Sequence, residues 1–295
     1  MKRVSKLGMP YMGSKRKLAK PIIDFILKEN PNTKYFYDLF GGGGAMSFEA
    51  AQRQQIKQVH YNEFNKGVVE LLKKIKKDGV TEEFFQWVSR DTFKKHKDDE
   101  TWFGGLCAVV WSFGNNKDKG YIFGKEIEED KRLLHEICVN ECEESLKTFN
   151  EKYKTHIKMN DEKSLFSSED KTQRRLRIIR EIKKEVGRLE LQQLERLQQL
   201  QISNLSYESV EINTPIKETI IYLDPPYEDT AKYSKGISHE ELYRFINNSK
   251  YKIYMSSYKS DLACVLEIKH RTTLSGTANN EVIEKVFTND KKCLV

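Results

Sequence analysis

The chain reads as an α/β protein with a largely parallel central sheet, broken by a long and mostly helical insert. Three observations lead there. Short apolar runs alternate with helical segments at both ends of the sequence, a strand running into a glycine turn and a helix stands at Phe36 to Arg53, and the pattern from about residue 68 to 200 is mainly helical. In order, the pattern predicts a helix near 15–29, a strand near 34–40, a helix near 44–54, a strand near 56–63 and a helix near 65–77. After the insert it predicts strands near 219–224, 251–257, 264–270 and 282–288, with a helix near 239–249. Within the insert, Trp111-Ser112-Phe113-Gly114-Asn115-Asn116 and the glycine-punctuated run to Gly124 read as a loop or hairpin. Leu191, Leu194, Leu197 and Leu200 recur every third residue, a spacing that rotates the stripe by about 60° per step on an α-helix. They read as a connector back to the sheet.

Two motifs carry chemistry. Asp224-Pro225-Pro226-Tyr227 directly follows the apolar run Ile220-Ile221-Tyr222-Leu223, which delivers a carboxylate, prolyl carbonyls and an aromatic ring together at a strand's end. Consecutive prolines fix φ and remove two donors, so the turn presents acceptors. The carboxylate and the carbonyl between the prolines can accept from an exocyclic base amine, and Tyr227 offers a face for a flat heterocycle. A strand followed by a proline turn is the plain alternative. The second motif is Phe36-Tyr37-Asp38-Leu39-Phe40-Gly41-Gly42-Gly43-Gly44-Ala45, where glycines let backbone approach a ligand that any Cβ would repel. About 20 residues further on, Val59-His60-Tyr61-Asn62-Glu63 ends in an acid, the place from which doubly wound folds hold ribose hydroxyls. Together they favour a nucleoside-containing cofactor. A P-loop is not formed, since the spacing from Gly8 to Gly13 continues Ser14-Lys15 in inverted order, and the glycines at 41–44 miss the dinucleotide fingerprint.

These blocks resemble the adenine-N6 DNA methyltransferases of the Dam type, many of them phage or restriction-modification enzymes. Tyr11-Met12-Gly13-Ser14-Lys15 resembles the family's N-terminal cofactor block, Asp38 to Gly44 its Phe-x-Gly-x-Gly loop, and Asp224 to Tyr227 its catalytic tetrapeptide. The block order also agrees. The resemblance implies a Rossmann-like methyltransferase fold, with a cofactor-binding catalytic domain at 1–67 and 201–295 and an inserted target-recognition domain at 68–200. It implies S-adenosylmethionine as methyl donor and adenine in double-stranded DNA as acceptor. By the same resemblance Tyr11, Lys15, Asp38, Phe40, Gly42 and Gly44 belong to the cofactor site, Glu63 takes the ribose, and Ser206-Tyr207 lies against the cofactor's adenine. Glu63 replaces the commoner Asp, and Ser206 a commoner acid. RNA is the alternative polymer, because acid-Pro-Pro-Tyr turns also occur in RNA adenine methylases. A catalytically silent nucleic-acid-binding module is the alternative of a different class.

Chemistry supports the first reading. The lone pair of adenine N6 is delocalised into the ring, so a catalyst gains rate by aiming it at an activated carbon. Asp224 and the Pro225 carbonyl would hold the two N–H bonds, and Asp224 could stabilise the developing positive charge and collect the proton. The base must leave the helix stack to be reached, a cost that Tyr227 would partly offset. Cytosine-C5 chemistry needs a thiolate in a Pro-Cys pair, and none of the 5 cysteines follows proline.

Composition sets the remaining limits. At 295 residues and 38% hydrophobic, the chain has room for one large domain and a smaller one. A mean hydropathy of −0.69 and the lack of a long apolar stretch predict a protein without membrane spans. Cys107, Cys138, Cys142, Cys264 and Cys293 make no metal-ligand spacing, so no metal is expected and a reducing cytoplasm is the expected compartment. The net charge is +7. Lys2, Arg3, Lys6, Lys15, Arg16, Lys17 and Lys20 form one basic cluster, and Lys171 to Arg188 another that contains Arg174, Arg175 and Arg177. Beside a base-modifying site, such clusters are read as phosphate contacts, with Asn115, Asn116 and Lys117 as candidates to meet bases and phosphates.

Overall fold

The structure, a computed structural model, describes residues 8–154, 156, 158–159, 198–226, 237–272 and 280–290. Tyr227, the basic stretch with Arg174, Arg175 and Arg177, Lys2, Arg3, Lys6, Cys293 and the leucines at 191, 194 and 197 lie outside the described residues. Seven strands are present: β1 (Tyr35–Asp38), β2 (Gln58–Asn62), β3 (Leu200–Ser203), β4 (Thr219–Leu223), β5 (Lys252–Ser257), β6 (Ala263–Thr272) and β7 (Asn280–Thr288). The described α-helices are α1 (Ala19–Glu29), α2 (Ala45–Ala50), α3 (Lys66–Asp78), α4 (Arg90–His96), α5 (Trp102–Val109), α6 (Glu128–Asn140), α7 (Glu143–Tyr153) and α8 (His239–Asn248).

The chain divides into two compact units, the first comprising Met1–Gly8, Gly13–Val69 and Glu195–Val295, the second Met9–Met12 and Glu70–Leu194. All seven strands belong to the first. They form one sheet in the order β3-β2-β1-β4-β5-β7-β6. The pairings from β3 through β5 are parallel, and β7 is antiparallel to both β5 and β6. The 3-2-1-4-5 portion is the Rossmann-like, doubly wound arrangement, in which ligands sit outside the carboxyl ends of the strands where the order reverses. Here that reversal lies between β1 and β4.

The local sequence explains these elements. Every residue of β4 is buried, as a central parallel strand requires, and this is why Ile220 to Leu223 reads as a continuous apolar run. In α1, Ile22, Ile23, Ile26 and Leu27 form the buried stripe. Pro21 falls in the first turn, where its missing N–H breaks no intrahelical bond. Ser238 caps α8 by accepting from the Glu241 N–H at 3.2 Å, the first half of a capping box. Leu242 and Ile246 of this helix pack with Tyr37, Ile221, Leu223 and Ile253 in one core cluster.

Two elements depart from the sequence reading. β3 was not expected, because this four-residue edge strand buries only Leu200 and so shows no apolar run. α2 ends at Ala50 rather than near 54, the chain turning away through hydrogen bonds from Gln52 N to Glu49 O and from Arg53 N to Ala50 O.

The second unit contains α4 to α7 and several 3-10 turns. Its centre is aromatic: Trp111 packs edge-on to Trp87 at 5.2 Å and parallel to Tyr121 at 6.5 Å, and Trp87 stacks on Phe123 at 5.8 Å. Tyr121 donates to the Val88 carbonyl at 2.6 Å, which satisfies its buried hydroxyl.

Candidate active site

Three carboxylates of the first unit gather where the parallel strands end. Asp38 is the last residue of β1, Glu63 follows the last residue of β2, and Asp224 follows the last residue of β4. The glycine loop runs past them, with Gly42 at φ 49° and Gly44 at φ 77°, a left-handed backbone that suits glycine. Gly41 is required for another reason, since a Cβ there would stand 2.2 Å from the Tyr61 ring. Tyr61 in turn donates its hydroxyl to the Gly42 carbonyl at 2.7 Å.

Glu63 anchors this loop. Its Oε2 accepts from the Gly42 N–H and its Oε1 from the Asn65 N–H, each at 2.8 Å. Burial pushes its carboxyl above the ordinary value, against those backbone hydrogen bonds. Each carboxylate oxygen keeps a second lone pair, so holding the loop leaves acceptor capacity for a hydroxyl. Beside it, Phe64 is 79% exposed and Leu205 44% exposed. Asn204 donates to the Glu63 and Phe64 carbonyls, and Asn62 to the Leu205 carbonyl, so both apolar side chains stand on pinned backbone. The sequence reading missed both. The signal available was position: Phe64 immediately follows the spaced acid.

Asp38 is 1% exposed. Its Oδ2 accepts from Ser47 Oγ at 2.7 Å, whereas its Oδ1 is buried with no hydrogen-bond partner. Burial pushes its pKa up to about 7; the Ser47 hydrogen bond opposes the shift, and the nearby charges of Asp224 and Glu63 add to it. An orphaned buried carboxylate oxygen is costly, and a cationic ligand group would satisfy it.

Lys15 closes the site. It lies in a 3-10 turn ahead of α1, and its Nζ reaches both oxygens of Asp224, at 2.7 and 2.9 Å. Glu284 of β7 stands 3.8 Å from the same ammonium. Burial works against the Lys15 charge, but Asp224 and Glu284 outweigh it and hold its pKa above the ordinary lysine value. Burial likewise raises the Asp224 carboxyl while Lys15 pulls it down. The two form a charged, buried pair.

Other expected site residues are placed as follows. Phe40 and Tyr207 pack against each other at 5.3 Å, and Tyr207 meets Phe245 edge-on at 5.3 Å. Tyr207 is thus a core residue, and Ser206 caps a 3-10 turn without a side-chain hydrogen bond. Pro225 is buried and Pro226 half-buried beside Asp224. Tyr11 belongs to the second unit, with Asn115, Asn116 and Lys117.

In that unit, a bridge between Ser112 and Tyr121 closes the loop that holds the two asparagines. Their amides serve the turn itself. Asn115 donates to the Val109 carbonyl at 2.7 Å, Asn116 accepts from the Asp118 N–H at 2.9 Å, and Lys117 pairs with Asp98 at 2.9 Å. The exposed groups here are Phe113, 60% exposed, with Asp118 and Lys119. Among the described residues, no helix is long and apolar enough to cross a membrane, and no His, Cys, Asp and Glu cluster could hold a metal ion.

The family model of the D12 class N6 adenine-specific DNA methyltransferases matches residues 11–262, a span that contains the glycine loop, Glu63 and Asp224. No curated relative matches the chain. With the match covering most of its length, the chain belongs to the D12 class of N6 adenine-specific DNA methyltransferases, a family of S-adenosylmethionine-dependent enzymes.

Proposed function

We propose that this protein binds S-adenosylmethionine at the carboxyl ends of β1, β2 and β4 and methylates adenine N6 in double-stranded DNA, within one short sequence, after the base has left the helix stack. The observation that carries this reading is the convergence of Asp38, Glu63 and Asp224 on one glycine loop at the sheet's switch point. Residues 1–67 and 201–295 would form the catalytic domain, and 68–200 the part that recognises the target.

The residues fit the cofactor. The orphaned Asp38 Oδ1 would accept from its ammonium, Glu63 from its ribose, and Phe64 and Leu205 supply apolar faces for its adenine. The cofactor supplies a methyl group on sulfonium, an electrophilic carbon. Asp224 and the Pro225 carbonyl accept the two N6–H bonds of the target and so aim its lone pair, a gain in alignment. The Asp224 carboxylate also stabilises positive charge as it develops on N6 and receives the proton afterwards. Tyr227 would stack on the extruded base. In the second unit, Phe113 and Lys119 offer an apolar group and a cation to DNA, and Arg174, Arg175 and Arg177 further phosphate contacts.

Incorporation of labelled methyl groups into duplex DNA, single-stranded DNA and ribosomal RNA tests the proposal. Transfer to adenine in duplex DNA at one sequence is expected. Transfer confined to RNA replaces the polymer, and transfer to none removes the activity.

A further inference from the structure

Glu284 is a buried acid with no place in the scheme above. It is 2% exposed, whereas the adjacent Ile283 is 37% exposed, so β7 carries its charged side chain inward and its isoleucine outward at this point. Burying a carboxylate is costly unless partners compensate it. Its neighbours are cations: Glu284 Oε1 lies 3.8 Å from Lys15 Nζ, and Oε2 lies 3.9 Å from His270 Nε2 on the adjoining strand β6. Because β7 is antiparallel to β5, its amino-terminal half reaches the same sheet edge as the carboxyl end of β4, next to Asp224.

Lys15 bridges both oxygens of Asp224, at 2.7 and 2.9 Å. The proposed chemistry asks that carboxylate to accept from N6 and then to face positive charge growing on it. An ammonium and a developing N6 cation on one carboxylate repel each other, and at low dielectric that repulsion opposes the transition state. A second carboxylate offers an exit. Moving Nζ from 3.8 Å to hydrogen-bond distance of Glu284 takes a shift of about 1 Å, within reach of a flexible lysine arm.

We propose that Lys15 transfers its hydrogen bonds from Asp224 to Glu284 as the adenine amine arrives, and that Glu284 is the positioning residue which receives it. This rests on the methyltransferase reading above. Lys15 thereby keeps Asp224 compensated when no base is present and releases it when one enters. Glu284 never touches the substrate. His270, at its other oxygen, holds it in place.

The test compares the unaltered protein with Glu284→Gln, which keeps the shape and removes the charge, leaving Lys15 on Asp224. The single-turnover rate of methyl transfer to duplex DNA is expected to fall by about 10- to 100-fold, while cofactor affinity and duplex affinity stay within about threefold. Adding Lys15→Met removes the clamp, so at saturating cofactor the double variant is expected to be faster than Glu284→Gln alone, a rescue that a folding defect would not show. Should Glu284→Gln fail to fold, Glu284→Asp keeps the charge on a shorter arm and is expected to transfer methyl at an intermediate rate. A wild-type rate in Glu284→Gln, or in Glu284→Asp where it is substituted, overturns the inference. So does a double variant no faster than Glu284→Gln. No transfer by the unaltered protein overturns the methyltransferase reading instead, and this inference with it.

Discussion

Gly41 and Tyr61 fit together ring against backbone: a Cβ at Gly41 would meet the Tyr61 ring at 2.2 Å, and the same tyrosine's hydroxyl holds the Gly42 carbonyl at 2.7 Å. The loop therefore has its path set from below by a residue of β2, and from the side by Glu63 on the Gly42 N–H. Gly41→Ala must displace the ring or the loop. We expect it to cost about 1–3 kcal/mol of stability by overpacking and to weaken cofactor binding at least about tenfold. Tyr61→Phe, which removes only the hydroxyl, is expected to cost about 1 kcal/mol. Urea unfolding and calorimetric titration check both, and a Gly41→Ala protein with unchanged affinity would detach the loop from the cofactor.

Asp38 gives a proton-linkage prediction. Its pKa of about 7 lies above that of an exposed carboxylate, so the folded protein favours the neutral form. The stability it contributes is fully present below about pH 4 and is lost as pH rises through about 7. A cationic group settling on Oδ1 reverses the preference and expels the proton. Cofactor binding at about pH 7 should then release a proton, and affinity should rise with pH through this range. Calorimetry in two buffers of different ionisation enthalpy reads the proton directly. Asp38→Asn should abolish the buffer dependence, and a buffer-independent enthalpy in the unaltered protein would place the ammonium elsewhere.

Asp224→Asn separates chemistry from binding. The substitution keeps shape and removes charge, and Lys15 retains Glu284 as a carboxylate neighbour. Single-turnover methyl transfer should fall by roughly 100- to 10,000-fold. Cofactor affinity should fall far less, since Asp38 and Glu63 remain. Full activity in this variant would make the Asp-Pro-Pro turn structural.

Phe64 makes a contrast of the opposite kind. At 79% exposure it packs against little, so Phe64→Ala should leave stability within about 0.5 kcal/mol. If its ring covers the cofactor's adenine, KM for the cofactor should rise at least about tenfold with kcat nearly unchanged, the signature of lost uniform binding. An unaltered KM would leave the apolar wall to Leu205.

The sheet's centre and the carboxylates at its edge were legible because each leaves a local mark. Ile220 to Leu223 is an apolar run ended by Asp-Pro-Pro, and Asp38 stands directly before a glycine loop. What escaped has no local mark. β3 buries a single leucine at the sheet's edge, and only pairing with β2 makes it a strand. Glu284 is harder still, since alternation along β7 would turn Ile283 inward and Glu284 outward, and only the arrival of Lys15 and His270 from distant segments reverses this. Tyr207 and Asn115 show the converse: side chains whose chemistry suited a ligand are engaged by Phe40, Phe245 and the Val109 carbonyl.

The loop of the second unit carries the last prediction, which separates its framework from its exposed face. Asn115 sits at φ 56° and donates to the Val109 carbonyl at 2.7 Å, so Asn115→Ala loses a hydrogen bond and a residue tolerant of that backbone. About 1–2 kcal/mol of destabilisation is expected in urea unfolding. Phe113, 60% exposed on the same loop, should change stability by less than about 0.5 kcal/mol when replaced by alanine. Its loss should instead lower duplex DNA affinity by about tenfold while leaving the salt dependence intact, because an apolar contact releases no counterion. Lys119→Ala should do the reverse, flattening the slope of log affinity against log salt by about one unit with similar effect on every DNA sequence. Fluorescence anisotropy on duplexes across a salt series distinguishes the two variants. Unchanged affinity and slope in both would remove this loop from the DNA face and leave recognition to other parts of the insert.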